Sequence, residues 1–232
     1  MADLGASVLA RLKNKAAESG RSYQLCMQLF CQEEFLRRVE KSRYADNLVL
    51  KGGLFLYTLT NFDSRVTVDV DFLLRQMPNT PERLQAVLEE IIATDTGNDF
   101  ITFEIKIVEP IAIAKKYAGI GASMIARIKN TRTPFNIDFG VGDVIVPQQE
   151  KRTIPTQLPD FEAPTVNTYS LETTVAEKLD AIIYFAFRTR RRNSKQRLIL
   201  HTMNSSRLWV KLLATKTRKL WRFCSILTCQ LA

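Results

Sequence analysis

The chain is short of several residues on which common chemistries depend. Its 232 residues include one histidine, His201, and four cysteines. The cysteines form two separated pairs, Cys26/Cys31 and Cys224/Cys229, each with four intervening residues and no flanking histidine. That spacing matches no common zinc pattern, so they read as reduced thiols in a cytoplasmic protein, not as a zinc site. No apolar run approaches the ~18 residues of a membrane span, and Met1-Ala-Asp-Leu-Gly lacks the basic-then-apolar layout of a secretory signal. No membrane partner is expected. The sharpest shortage is of acid near the end. All 24 acidic residues lie at or before Asp180, whereas 12 of the 33 Lys and Arg lie after it. Residues 1–180 therefore set 21 basic against 24 acidic residues, a net −3, and the last 52 carry +12. The overall +9 belongs to the tail alone. A hydrophobic fraction of 46% is ordinary for a globular protein, and the length suits one large domain or a core with a helical annex.

Two helices open the chain. Residues 6–18 place Val8, Leu9 and Leu12 at helical spacing before Gly20, and residues 22–41 stack Leu25, Leu29, Phe30, Phe35, Leu36 and Val39 on one broad apolar side. Charged residues of the second helix, such as Glu33, Arg37 and Lys41, fall mainly on the other side and read as solvated. A short β-type run, Leu48–Lys51, meets Gly52-Gly53, and Leu54–Thr60 reads as a helix. A strand entering a helix through a glycine turn suits a phosphate, although glycine pairs more often simply make turns.

The most informative segment is Arg65-Val-Thr-Val-Asp-Val-Asp-Phe72. Alternate strand residues share a face, so Arg65, Thr67, Asp69 and Asp71 stand opposite a buried face of Val66, Val68, Val70 and Phe72. The two carboxylates lie about 6–7 Å apart along the strand. Like charges so placed repel unless a cation sits between them, and oxygen-only ligands favour Mg²⁺ or Mn²⁺. The alternative is a solvated edge strand paired through Arg65. Further on, 80–94 reads as an amphipathic helix, 100–108 as a half-buried alternating strand, and 120–129 and 134–141 as two strands turning at Asn130-Thr-Arg132. In Pro134-Phe-Asn-Ile-Asp-Phe-Gly140, Asn136 and Asp138 share the polar face. A third strand carboxylate gives Asp69 and Asp71 a companion of the kind two-metal phosphoryl transfer uses. Asp143 reads as a turn residue. Pro147, Pro155, Pro159 and Pro164 mark 147–168 as an irregular connection. Ser170 then caps a helix running from Leu171 to about Phe187, on which Lys178 is equally a surface or a site lysine.

In this order, Lys51-Gly52-Gly53, Arg65-Val-Thr-Val-Asp69-Val-Asp71-Phe72, Ile137-Asp138-Phe-Gly140 and Ala176-Glu-Lys178-Leu179-Asp180-Ala181 resemble the AbiEii/AbiGii-type nucleotidyltransferase toxins of the DNA polymerase β-like superfamily. The resemblance covers about residues 5–185. It implies an α+β fold, a mixed sheet with flanking helices plus the N-terminal helical pair. The expected divisions are 1–42 for that pair, 43–168 for the nucleotidyltransferase core, 169–187 for a C-terminal helix and 188–232 for a basic, atypical tail. It also implies Mg²⁺ (or Mn²⁺) held by Asp69, Asp71 and Asp138, and NTP phosphates on Gly52-Gly53. Lys178 is expected to reach the nucleotide, and Arg65 either to help neutralise phosphate or to form a structural ion pair. The implied activity is NMP transfer from an NTP to an acceptor such as RNA or tRNA, in a toxin of a toxin–antitoxin or abortive-infection system with a cognate antitoxin.

The chain departs from the family in having Gly52-Gly53 where the superfamily usually has Gly-Ser, and in lacking a following helix of the Arg/Lys-Asp-x-Tyr-Asp-Leu kind. Residues 181–232 contain no acid where ordinary composition gives about six. Either Arg188–Arg192, Trp209 and Trp221 form a nucleic-acid-binding arm, or a shifted reading frame replaced the C-terminus near residue 187. These readings keep two alternatives to an active enzyme open: a non-catalytic nucleic-acid-binding protein, and an inactive remnant of such an enzyme.

Overall fold

The computed structural model describes residues 3–59, 69–111 and 119–179, in two compact units, Met1–Tyr169 and Ser170–Ala232. In the first, α1 (Leu4–Ser19) starts where the Asp3 side chain accepts from the Ala6 N–H and ends on Gly20 in the left-handed region. Ser22 caps α2 (Tyr23–Lys41). Then come β1 (Leu48–Lys51), α3 (Gly52–Leu59), β2 (Asp69–Leu74), α4 (Pro81–Ile92), β3 (Ile101–Pro110), β4 (Ile120–Ile128), β5 (Thr131–Gly140), β6 (Glu150–Thr153) and β7 (Thr165–Thr168). They form one mixed seven-stranded sheet, ordered β3-β4-β5-β2-β1-β7-β6. The fold class is the α+β arrangement expected, with its N-terminal helical pair.

One sheet face is apolar. Val70 and Phe72 of β2, Phe135, Ile137 and Phe139 of β5, and Ala122, Met124 and Ala126 of β4 are all buried. Phe35 of α2 packs edge-on against Phe103 and Phe135, and tilted against Phe72. That aromatic cluster fixes which face of β2 and β5 turns inward, and therefore turns the alternate residues the other way.

Several expectations need correcting. Glu33 and Arg37 are not solvated: α2 is buried without interruption from Cys26 to Val39. Chain segments cover its charged side, with Gln157 donating its N–H to both Glu33 carboxylate oxygens at 2.9 and 3.0 Å. Arg37 bonds the Glu162 carbonyl and pairs with Glu34 at 3.2 Å. Buried charges of this kind persist only when paired and hydrogen-bonded. The connection 147–168 is not wholly irregular, because β6 and β7 lie between its prolines and pair antiparallel, and β7 runs parallel to β1. The β4–β5 hairpin turns at Lys129-Asn130, with Ile128 opposite Thr131, one residue earlier than expected. Strand β2 begins at Asp69, and residues 65–68 lie outside the described residues.

In the second unit residues 171–179 are helical, and Ser170 caps them by accepting from the Thr173 N–H at 3.2 Å. The rest of the expected helix, and the tail with His201, Trp209, Trp221, Cys224 and Cys229, lie outside the described residues. Cys26 and Cys31 are buried free thiols. No described helix is long and apolar enough to cross a membrane.

Candidate functional site

Parallel pairing of β2 with β5 sets Asp71 opposite Asp138 and Asp69 opposite Asn136. Register partners share a face, so the three aspartates stand together on the polar side of the sheet, away from Val70, Phe72 and Ile137. The register extends outward in both directions. Asp138 lies opposite Gly121 of β4, Gly121 opposite Glu109 of β3, and Asp71 opposite Lys51 of β1. One row across five strands is therefore Glu109, Gly121, Asp138, Asp71, Lys51. Gly121 leaves the row open, because a Cβ there would sit 3.5 Å from an Asp138 carboxylate oxygen. An open depression of about 460 Å³ lies over this part of the sheet, lined by Asp69, Glu109, Gly121, Ser123, Asn136 and Asp138 among others.

Each carboxylate is held apart from the others. Asp69 accepts from the Asn136 amide at 3.3 Å, and that amide's oxygen is 3.1 Å from the Ser123 hydroxyl. Asp71 turns to the start of α3 and accepts the Gly53 N–H. Gly52 has a φ of +68°, and a Cβ on it would come within 1.9 Å of an Asp71 carboxylate oxygen. Glycine is required here both for its left-handed backbone and for the space that Asp71 fills. The Gly52-Gly53 pair thus does a different job from the expected one. It is the first turn of α3 itself, and its donor engages a carboxylate of this chain.

Burial pushes the Asp71 carboxyl up to about 6, and the neighbouring Asp138 charge raises it further, while the Gly53 N–H and Lys51 oppose the rise. Among the described residues no three His, Cys, Asp or Glu side chains converge as a ready cation site. Mutual repulsion accounts for the spread: three like charges on one face separate onto the nearest donors. A divalent cation fits this donor set. The ligands are all oxygens, and Asp71 is a carboxyl whose ionised form lacks a sufficient counter-charge.

The site therefore unites Asp69, Asp71, Asp138, Gly52 and Gly53. Arg65 lies outside the described residues, and Lys178 is on the helix of the second unit. Two features escaped the sequence reading. Glu109 shares the acidic face because β3 carries a bulge between Ile105, opposite Met124, and Ile107, opposite Ser123. The bulge reverses the alternation and leaves Ile107 47% exposed where it reads as core. Asp143 is more than a turn residue: it pairs with the Lys51 ammonium and accepts from the Tyr169 hydroxyl at 2.7 Å.

Comparison with known proteins agrees with this arrangement. The model of the nucleotidyl transferase AbiEii toxin family, of type IV toxin–antitoxin systems, matches residues 34–197. That match contains all three aspartates, both glycines and Lys178, and ends ten residues beyond position 187. No curated protein matches the chain. Among solved structures it is similar to JHP933 from Helicobacter pylori, at 18% identity and a TM-score of 0.40, covering 64% of this chain and 55% of that one. It is also similar to a provisionally assigned nucleotidyltransferase from H. pylori, at 18% identity and a TM-score of 0.38, covering 65% and 57%. The chain spans little more than half the length of those two structures. On the family match, which takes in most of its length, the chain belongs to the AbiEii nucleotidyltransferase toxin family.

Proposed function

We propose that the chain transfers a nucleoside monophosphate from an NTP to an RNA acceptor such as tRNA, with Mg²⁺ (or Mn²⁺) held by Asp69, Asp71 and Asp138. The observation that carries this reading is the β2–β5 register, which sets Asp71 beside Asp138 on one open face with Asp69 two residues away. In the reaction an acceptor hydroxyl oxygen bonds to the α-phosphorus, the bond to the bridging oxygen breaks, and pyrophosphate leaves with the electron pair. The hydroxyl proton passes to solvent or to a carboxylate. Divalent ions bound there would neutralise phosphate charge and lower the pKa of the attacking hydroxyl. The chain's own part is to hold the carboxylates in register and to seat Asp71 against Gly52. In the cell this reading makes it a cytoplasmic toxin, active in abortive infection and restrained by a cognate antitoxin.

Incubating the full chain with RNA, Mg²⁺ and each α-labelled NTP tests it. Label is expected in RNA, abolished by EDTA and reduced at least about a hundredfold by Asp69→Ala. Incorporation that survives Asp69→Ala would overturn the assignment. The acid-free stretch 181–232 supports a second, non-catalytic reading, in which a basic arm binds nucleic acid. Salt-sensitive RNA binding that persists in Asp69→Ala but is lost on deleting 188–232, with no incorporation, would favour it. Neither signal would mark an inactive remnant.

A further inference from the structure

We propose that Lys51 is a phosphate-binding residue of this site, and that Asp143 is its counter-ion, competing with the nucleotide for the same ammonium. The inference rests on the nucleotidyltransferase reading and adds a residue to which neither the motif order nor the alternation gave a role.

Lys51 ends β1, directly opposite Asp71, on the same face as the aspartates and immediately before Gly52. A triphosphate carries several negative charges and would have to approach three carboxylates. Beyond any metal, it needs a fixed cation at close quarters. In the register row Glu109, Gly121, Asp138, Asp71, Lys51, the lysine is the one cation. Its ammonium extends past Asp71 to the end of β5, where a Cβ on Gly140 would lie 3.5 Å from Nζ. The missing side chain at Gly140 is what admits it.

Its surroundings are those of a held charge that stays within reach of solvent. The Lys51 ammonium pairs with Asp143 and sits 5.3 Å from the Tyr169 ring centroid, and the Tyr169 hydroxyl donates to the same Asp143 oxygen. The Lys51 side chain is 18% exposed and that of Asp143 37%. Asp143 lies in the 141–149 connection, which forms no regular element, so an incoming phosphate can replace it without unpairing a strand. A purely structural ion pair is the alternative, fastening that connection to the sheet.

The two accounts differ in sign, and magnesium pyrophosphate is a suitable probe because every NTP releases it. Its affinity for the full-length chain is measured by calorimetry in wild type, Lys51→Met, Lys51→Arg and Asp143→Asn, with thermal unfolding of each. Loss of a charge-assisted contact predicts that Lys51→Met weakens binding about ten- to a hundredfold, with partial recovery in Lys51→Arg. Asp143→Asn removes the competitor and is expected to tighten binding severalfold. A structural pair predicts that both neutralising variants lower the unfolding temperature and that neither strengthens binding. Should Lys51→Met fail to fold, the sign in Asp143→Asn still decides: unchanged or weaker binding overturns the proposal. Wild-type binding unaffected at Lys51 overturns this inference alone. Absence of binding in wild type overturns the nucleotide site as well.

Discussion

Asp71 shows how a side chain can be placed for a ligand at the expense of the empty fold. Its carboxyl is raised from 3.8 to about 6 by burial and by Asp138. A raised acid stabilises the fold only while protonated, so the contribution is full below pH 3.8 and is lost as pH rises through about 6. In metal-free protein Asp71→Asn is therefore expected to add about 1–3 kcal/mol of stability at pH 8 and little at pH 4. Denaturant unfolding in EDTA at both pH values measures this, and a variant less stable than wild type at pH 8 would contradict it. Gly52→Ala should act in the opposite direction. It forces a left-handed alanine, at about 1–2 kcal/mol, and drives a methyl group into Asp71. A lower unfolding temperature together with lost incorporation is expected; a fully active Gly52→Ala would refute the close fit of Asp71 to Gly52. At this scale the sequence was readable where alternation held. Asp69, Asp71 and Asp138 fall on one face because Val70, Phe72 and Ile137 must be buried. Glu109 was unreadable because a single bulged residue in β3 reverses the phase, and the Lys51–Asp143 pairing because it joins residues 92 apart.

At the scale of elements, α2 departs furthest from its pattern. An amphipathic helix should present Glu33 and Arg37 to water, yet segments around 96–101 and 154–162 enclose them, as when Thr96 and Asn98 donate to Glu34. The covering segments come from distant sequence, so helical periodicity carries no sign of them. Removing one partner of a buried ion cluster strands the other's charge. Arg37→Met is thus expected to destabilise the protein by about 3–5 kcal/mol, measured by chemical denaturation, and by less when Glu33 and Glu34 are both glutamine. An effect below about 1 kcal/mol would mean that the cluster is solvated in solution. Strands β6 and β7 escaped notice for a related reason. Each has four residues between prolines, too short for periodicity, and β7 is stabilised by pairing with β1 and β6.

For the whole molecule, family membership, the mixed sheet and the shared carboxylate face point the same way, while the basic stretch after Asp180 stands apart in composition. The family match, which runs through residue 197, rests on motif order and spacing, the same features that made the resemblance legible in the sequence. The central claim is that three carboxylates from two paired strands take up divalent ions. Electron paramagnetic resonance titration of Mn²⁺ into the full chain at pH 8 tests it most directly. The account predicts saturable binding by wild type, competed by Mg²⁺ and weakened at least about tenfold in both Asp71→Asn and Asp138→Asn. Equal Mn²⁺ uptake by wild type and both variants, or none by wild type, would contradict it.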